Sequence, residues 1–242
     1  MRLLKTVFHV HTDYSHDCDL PVEAVLEEAR ARGVQCLTIT DHDNMEGARA
    51  AAALARPDLE IIAGEEITTL EGHLIGLFLD EPIEPGQSAR RTAELIRRQG
   101  GLVVVPHPFN RLFDCGLREH VYDLIDLVDI IEVSNAQNFL RRPNRQARAL
   151  AERFEMPMLV GVDTHRPGYL DSCYQWVPVF NGPQEFLQSV RRAQLVPGRH
   201  PVSYFFKTAR YELGNRLGLG APERYGRNCP YLQPELAPVR AR

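Results

Sequence analysis

His9-Val10-His11 is the first place in the sequence where residue type and spacing could do chemistry. Residues i and i+2 of a strand point to one side, so both imidazoles can reach a single cation. Further donors follow at Asp41-His42-Asp43, Glu65-Glu66, His73 and Pro106-His107-Pro108, and the i, i+2 pattern returns in Asp163-Thr164-His165. Imidazole and carboxylate without thiolate suit Mn, Fe or Zn, and several carboxylates suit a cluster in place of one ion. The cysteines Cys18, Cys36, Cys115, Cys173 and Cys229 are far apart and form no CxxC pair. They are therefore expected to be free, mostly buried thiols.

Such donors need elements that bring them to one place. Leu3 to Val10 reads as a strand and Pro21 to Arg32 as a helix closed by Gly33. Gln35 to Thr40 and Leu59 to Ala63 read as strands on either side of an alanine-rich helix, Glu46 to Ala55. Leu74 to Leu79 is another strand, and Ser88 to Gln99 a helix stopped by Gly100-Gly101. Leu102 to Val105 is apolar without alternation, as in a strand buried on both faces. Asp129 to Ser134, Arg141 to Phe154 and Met158 to Val162 continue the alternation, and helices are expected at Gln184 to Ala193 and Ser203 to Leu217. Repeated strand–helix units predict a mostly parallel sheet, open or closed into a barrel. These folds build their sites at the C-terminal strand ends, and His9, His11, His42, His73, His107 and His165 fall at or beside predicted strand ends. His16, His120 and His200, in a loop, a helix and a turn, read as solvated bystanders.

The 242 residues, 44% of them apolar, are enough for one large core, expected over residues 1–215, with a proline-containing tail over 216–242. The formal charge of −4, with no basic stripe, argues against broad nucleic-acid binding. Apolar runs fall far short of the ~18 residues a membrane helix needs. The N-terminal run is broken by His9 and His11 and lacks the core of a signal peptide, so a cytoplasmic protein without a membrane partner is expected.

The segments HVHTDYSHD (9–17), TITDHD (38–43), GEEITT (64–69), GHLIGLFLD (72–80), VVPHPF (104–109), IEVSNAQN (131–138) and GVDTH (161–165) occur in this order. Together they resemble the polymerase and histidinol phosphatase (PHP) family over roughly residues 3–210. The resemblance implies a distorted (β/α)7 TIM-like barrel that holds two or three divalent ions with nine ligands. Carried onto this chain, His9, His11, Glu66 and Asp163 would hold one ion, and Glu66, His73 and His107 a second. Asp17, His42 and His165 would hold a third. Asp19 is an alternative to Asp17, and Glu65 takes the variable position of the GxEI motif. His9, His11, Glu66, Asp163 and His165 would form the catalytic group.

The reaction implied is phosphoester hydrolysis, in which a hydroxide bridging two ions is a nucleophile at neutral pH and the ions neutralise phosphate oxygens. Phosphate also calls for positive charge from the protein. Only Lys5 and Lys207 are lysines, so 26 of the 28 basic residues are arginine, which binds phosphate bidentately. Arg111, four residues after His107, and Arg166, directly after His165, are the first candidates for phosphate binding. Arg141, Arg142 and Arg145 follow, after Asn135, which is expected to orient substrate or a ligand. The expected function is hydrolysis of small phosphate esters, either phosphomonoesters or nucleotides. Two rivals are a metal-dependent C–N hydrolase and a noncatalytic metal-stabilised binding module. The first needs a bridging modified lysine at a mid-barrel strand end, where neither Lys5 nor Lys207 lies.

Overall fold

Seven strands, β1 (Leu3–Val10), β2 (Cys36–Ile39), β3 (Glu60–Thr68), β4 (His73–Leu77), β5 (Leu102–Val105), β6 (Ile130–Asn135) and β7 (Met158–Thr164), follow one another around a closed ring. The ring closes because β1 pairs in parallel with both β2 and β7. Residues 2–111 and 115–216 are described by this structure, a computed structural model. The helices α1 (Val22–Ala31), α2 (Glu46–Leu54), α3 (Ala89–Arg98) and α4 (Arg141–Arg153) occupy connections between ring strands. A short 3-10 helix, Arg118–Leu124, stands between β5 and β6.

Why the ring is closed can be seen in its packing. One apolar cluster takes Leu4 and Phe8 from β1, Cys36 from β2, Ile62 from β3, Ile75 from β4, Val104 from β5, Ile130 from β6 and Leu159 from β7. Residues from every strand can meet in this way only inside a barrel. Phe186 and Val190 of α5 (Gly182–Val190) pack against the same cluster. Two further clusters fill the layer between ring and helices.

The expected mostly parallel sheet needs correction on one side. β3–β4 and β4–β5 are antiparallel, because β3 and β4 are joined by the turn 69–72 with no helix between them. Gly72 has φ 144°, and a Cβ there would lie 2.9 Å from the backbone of Gly116 and Leu117, so the turn requires glycine. Two strands were not foreseen: β8 (Tyr174–Pro178) and β9 (Gln194–Val196), both antiparallel. They are short and lie outside the ring, β8 pairing with residues 3–6 of β1 while β7 takes residues 8–10.

The last described helix, α6 (Val202–Arg216), ends at the boundary of the expected tail, so apart from Arg216 the segment 216–242 lies outside the described residues. Cys229 lies there too, whereas Cys18, Cys36, Cys115 and Cys173 are buried thiols outside any disulfide. Among the described residues no helix is long and apolar enough to cross a membrane.

His200, expected to be solvated, is 5% exposed. Its ring stacks on Tyr204 of α6 at 3.8 Å and its Nδ1 lies 3.1 Å from Ser172 Oγ. Burial pushes its imidazole down to about 4. The unfolded chain takes up this proton near pH 6.5 and the folded chain only near 4, so the associated stability is full above about pH 6.5. It is lost as pH falls through that window, to a total of about 3 kcal/mol. Urea midpoints of metal-free wild type and His200→Gln, measured at pH 7 and pH 4, are therefore expected to converge at the acid end. An equal acid loss in both proteins would contradict this.

Candidate metal centre

Three backbone irregularities aim the donors. The register of β1 shifts between Val7 and Val10, and His9 within that bulge has φ 67°. His107, just past β5, has φ 28° and Asp163, near the end of β7, has φ 47°. A left-handed non-glycine residue is uncommon and costs of order 1–3 kcal/mol, so three among nine expected ligands mark a strained site. The kink at His9 leaves its ring and that of His11 5.1 Å apart and tilted, with both Nε2 atoms near Glu66 Oε2.

Glu66 is the centre of the arrangement. Its Oε2 lies 3.0 Å from His9 Nε2, 3.2 Å from His11 Nε2 and 3.6 Å from His42 Nδ1. Its Oε1 lies 2.9 Å from His73 Nδ1 and 3.0 Å from His107 Nε2. Asp163 Oδ1 lies 3.7 Å from His9 Nε2 and 3.6 Å from His11 Nε2. Asp17 Oδ2 is 3.0 Å from His165 Nε2 and 3.7 Å from His42 Nε2, and the His11 and His165 rings stack at 4.2 Å. All nine expected ligands thus converge. Asp19 instead pairs with Arg166 at 3.1 Å, and Glu65, on the opposite face of β3, accepts from the Ile83 amide at 2.8 Å.

The donor set fits divalent cations. Four groups, His11/Asp17/His42/His165, His9/His107/Asp163, His9/His11/Glu66 and His42/Glu66/His73, each place their ligand atoms within 4.8 Å of one another. Donors about 2.1 Å from one ion are at most about 4.2 Å apart, so small adjustments suffice. His11 Nε2, Asp17 Oδ1, His42 Nδ1 and His165 Nε2 are buried without a hydrogen-bond partner. Buried polar atoms are normally satisfied. His165 Nε2 and Asp17 Oδ2 are close in distance yet poorly aligned for a hydrogen bond.

Electrostatics agree. Against the penalty of burial, the Glu66, Asp17 and Asp43 carboxylates push His42 up to about 10. Burial, together with the His165 and His42 rings, pushes His11 down to about 3. Despite its burial, the carboxyl of Glu66 is held well below the usual range by His9, His42, His73 and His107. Neighbouring imidazoles are pulled in opposite directions, a conflict that cations relieve.

Behind the donors stands a layer of residues to which the sequence reading gave no role. Glu132 Oε1 accepts from His9 Nδ1 at 2.9 Å, and Oε2 accepts from the His107 amide at 2.6 Å. Ser15 Oγ lies 3.0 Å from His11 Nδ1 and donates to Asp41 at 3.1 Å. Tyr204 OH accepts from the His165 amide at 3.1 Å and donates to the Asp163 carbonyl at 3.3 Å. Gly161 makes room for Glu132, since a Cβ there would meet Oε1 at 1.5 Å. One signal was available: an acid in the apolar run Ile130-Ile131-Glu132-Val133 has to find a partner. Glu132→Gln is expected to weaken metal binding 10–100-fold, read by metal titration of metal-free protein. An unchanged titration would remove Glu132 from the site.

Asn135 is fully buried, and its amide donates to Glu132 at 3.1 Å and to Asp163 at 2.9 Å. Arg166 lies beside the donors: it is 3% exposed and its Nη1 donates to Asp19 and to the His165 carbonyl. Its guanidinium lies 3.8 Å over the Tyr211 ring, and Nε and Nη2 are buried without a partner. Arg111 and Arg145 are exposed, the latter on α4, and neither bonds to any of the nine donors. His16 is exposed, with its ring 5.1 Å from that of His42.

The fold and the donor set define a class, the PHP-type metal-dependent phosphoesterases. The chain belongs to the PHP domain family, which it matches over residues 8–192. Among curated proteins it is 36% identical over 144 residues to an uncharacterised protein of Methanocaldococcus jannaschii, a match covering 55% of this chain and 82% of that one. It is 28% identical to a phosphoribosyl 1,2-cyclic phosphate 1,2-diphosphodiesterase of Eggerthella lenta over 60% of this chain and 54% of that protein. It is 38% identical to a 3',5'-nucleoside bisphosphate phosphatase of Chromobacterium violaceum over 34% of this chain and 30% of that one. A two-domain protein of Bacteroides vulgatus, described as containing a predicted PHP-like metal-dependent phosphoesterase, shares the fold with TM-score 0.67 at 19% identity. That match covers 81% of this chain and 65% of that one, so the chain spans less than two thirds of that structure.

The same fold corrects one expectation. Endonuclease Q, with TM-score 0.62 and 15% identity over 78% of this chain and 57% of that one, is seen in complex with a 27-mer duplex substrate with an abasic lesion at its active site. A net charge of −4 therefore does not exclude nucleic acid for a barrel of this kind. Whole-chain charge averages over the surface and does not report the potential at the barrel mouth.

Proposed function

We propose that the chain hydrolyses phosphate esters, small phosphomonoesters or nucleotides among them, at a centre of two or three Mn, Fe or Zn ions. The observation that carries this reading is the sharing of both Glu66 oxygens among five imidazoles, with Asp163 on one side and Asp17 on the other. Such a carboxylate suits a bridge between ions. His9, His11, Glu66 and Asp163 would hold the first, Glu66, His73 and His107 the second, and Asp17, His42 and His165 the third. Bound ions supply positive charge to a phosphate and bring the pKa of a water towards neutrality.

The residues of the chain do the rest. Glu132, Asn135 and Ser15 fix the rotation of the donors, so that little reorganisation accompanies substrate binding. Arg166, next to His165, has two guanidinium nitrogens, Nε and Nη2, left over and is the residue we assign to a phosphate oxygen. Lys5 donates to the Arg32 carbonyl at 2.9 Å and pairs with Asp171, away from the donors, which speaks against a lysine-bridged C–N hydrolase.

The test is turnover by Mn-loaded protein of a panel of phosphate monoesters, nucleotides, cyclic diesters and a DNA duplex with an abasic site. Arg166→Lys, which keeps charge but loses the planar fork, is expected to lower kcat/KM on the best substrate by roughly 10–100-fold, about 1.4–2.7 kcal/mol. No turnover of any member, or rates identical in His107→Ala, would defeat the reading.

A further inference from the structure

We propose that Cys115 is a positioning residue for the ion shared by His73 and His107. This rests on the metal-centre reading above and adds to it a residue that neither the motif pattern nor the donor set contains.

The donor histidines at the end of β1 and just past it are each held from behind by an oxygen. His9 Nδ1 meets Glu132 at 2.9 Å and His11 Nδ1 meets Ser15 at 3.0 Å. His107 offers Nε2 to Glu66 at 3.0 Å, and its rear atom Nδ1 faces a sulfur, Cys115 Sγ, at 3.7 Å. Cys115 is buried, and its carbonyl accepts from the His73 amide at 2.8 Å. One residue thus touches both imidazole-bearing residues that converge on Glu66 Oε1: the ring of His107 through its thiol and the backbone of His73 through its carbonyl.

The chemistry follows from the tautomer. With Nε2 turned to a cation, Nδ1 carries the proton and donates to the sulfur, a weak acceptor. This fixes the rotation of a ring whose own backbone is strained, at φ 28°. A weak partner holds the ring less firmly than the carboxylate behind His9 does. The ion held by His107 is therefore the one whose affinity depends on Cys115, while an ion held by Asp17, His42 and His165 does not.

The experiment uses the full chain, stripped of metal and titrated with Mn2+, with ion stoichiometry by equilibrium dialysis and phosphoesterase rate against free Mn2+. Cys115→Val fills the space of the thiol without an acceptor, Cys115→Ala leaves it empty, and Cys115→Ser restores an acceptor. Cys36→Ala, inside the barrel, controls for loss of a buried thiol. We expect Val and Ala to raise the dissociation constant of one ion 10–100-fold and to leave the others unchanged. The rate curve should shift to higher Mn2+ by the same factor with its plateau kept, Ser should recover most of the loss, and Cys36→Ala should titrate as wild type. If either Val or Ala titrates as wild type, if Ser is no better than Ala, or if all ions weaken together, the assignment of Cys115 is overturned. Should Val not fold, Ala decides. Wild type binding fewer than two ions would instead overturn the multinuclear reading itself, so the two failures are distinct.

Discussion

Glu66→Gln is expected to lower turnover at least a thousandfold and to leave no more than one bound ion per chain. The substitution keeps shape and hydrogen-bonding capacity but removes the negative charge and makes one oxygen an amide donor, which cannot ligate. Five imidazole nitrogens lie within 3.6 Å of the Glu66 oxygens, so five donors lose their shared counter-charge at once. A thousandfold corresponds to about 4 kcal/mol of transition-state stabilisation, the scale seen when an electrostatic anchor is removed from an active site. The measurements are metal content after dialysis and kcat on the best substrate of the panel. Two or more ions in Glu66→Gln, with kcat within tenfold of wild type, would deny the bridging role. Asp163→Asn should be milder, because that carboxylate lies 3.6–3.7 Å from three imidazoles, His9, His11 and His165, where Glu66 meets five at 2.9–3.6 Å.

Chelation should produce the second large effect. At a free ion concentration a thousand times the dissociation constant, one ion stabilises the folded chain by about 4 kcal/mol. For a chain of this size each kcal/mol moves the melting temperature by about 2–4 °C, so stripping even one such ion should lower it by roughly 8–16 °C. The buried atoms His11 Nε2, Asp17 Oδ1, His42 Nδ1 and His165 Nε2 give the structural reason, since without cations they have no hydrogen-bond partner in the protein. A melt with and without EDTA, followed by Mn2+ add-back, measures it. A change of under 2 °C would mean that ions contribute nothing to the fold.

How much of this could be read from the sequence differs by kind of residue. Eight of the nine donors were legible because they stand at or beside strand ends where apolar sequence meets His, Asp or Glu, and such a break has few other causes. Asp17 was legible only by resemblance, since it lies in the 11–21 loop, where no periodicity constrains direction. Arg166 and Arg111 looked equivalent in the sequence and are not: one is buried against Asp19 and Tyr211, the other exposed. Burial of a long cationic side chain depends on what packs over it, here a helix some 40 residues further on. The hairpin of β3 and β4 was implied by the lack of a helix between Ala63 and Leu74, although Gly72 alone does not give its direction. Glu132, Ser15 and Tyr204 were missed because they touch ligands and not ions. Their spacing follows no motif: Glu132 stands at a bulge in β6, Ser15 in the loop after β1 and Tyr204 on α6.

The seam of the ring bears on how the chain matures. Phe8 pairs with Gly161 and Val10 with Thr164, partners roughly 150 residues apart, whereas His9, His11, Asp17, His42 and Glu66 all lie in the first 66 residues. During synthesis these five donors leave the ribosome long before β7 arrives to supply Asp163 and His165. Closing so large a loop is slow, because its entropy cost comes before any of its contacts are made. An ion captured by the early donors would hold β1, β2 and β3 together while the remaining strands are still being made, so metal supply during translation, and not only afterwards, would set the yield of folded chain.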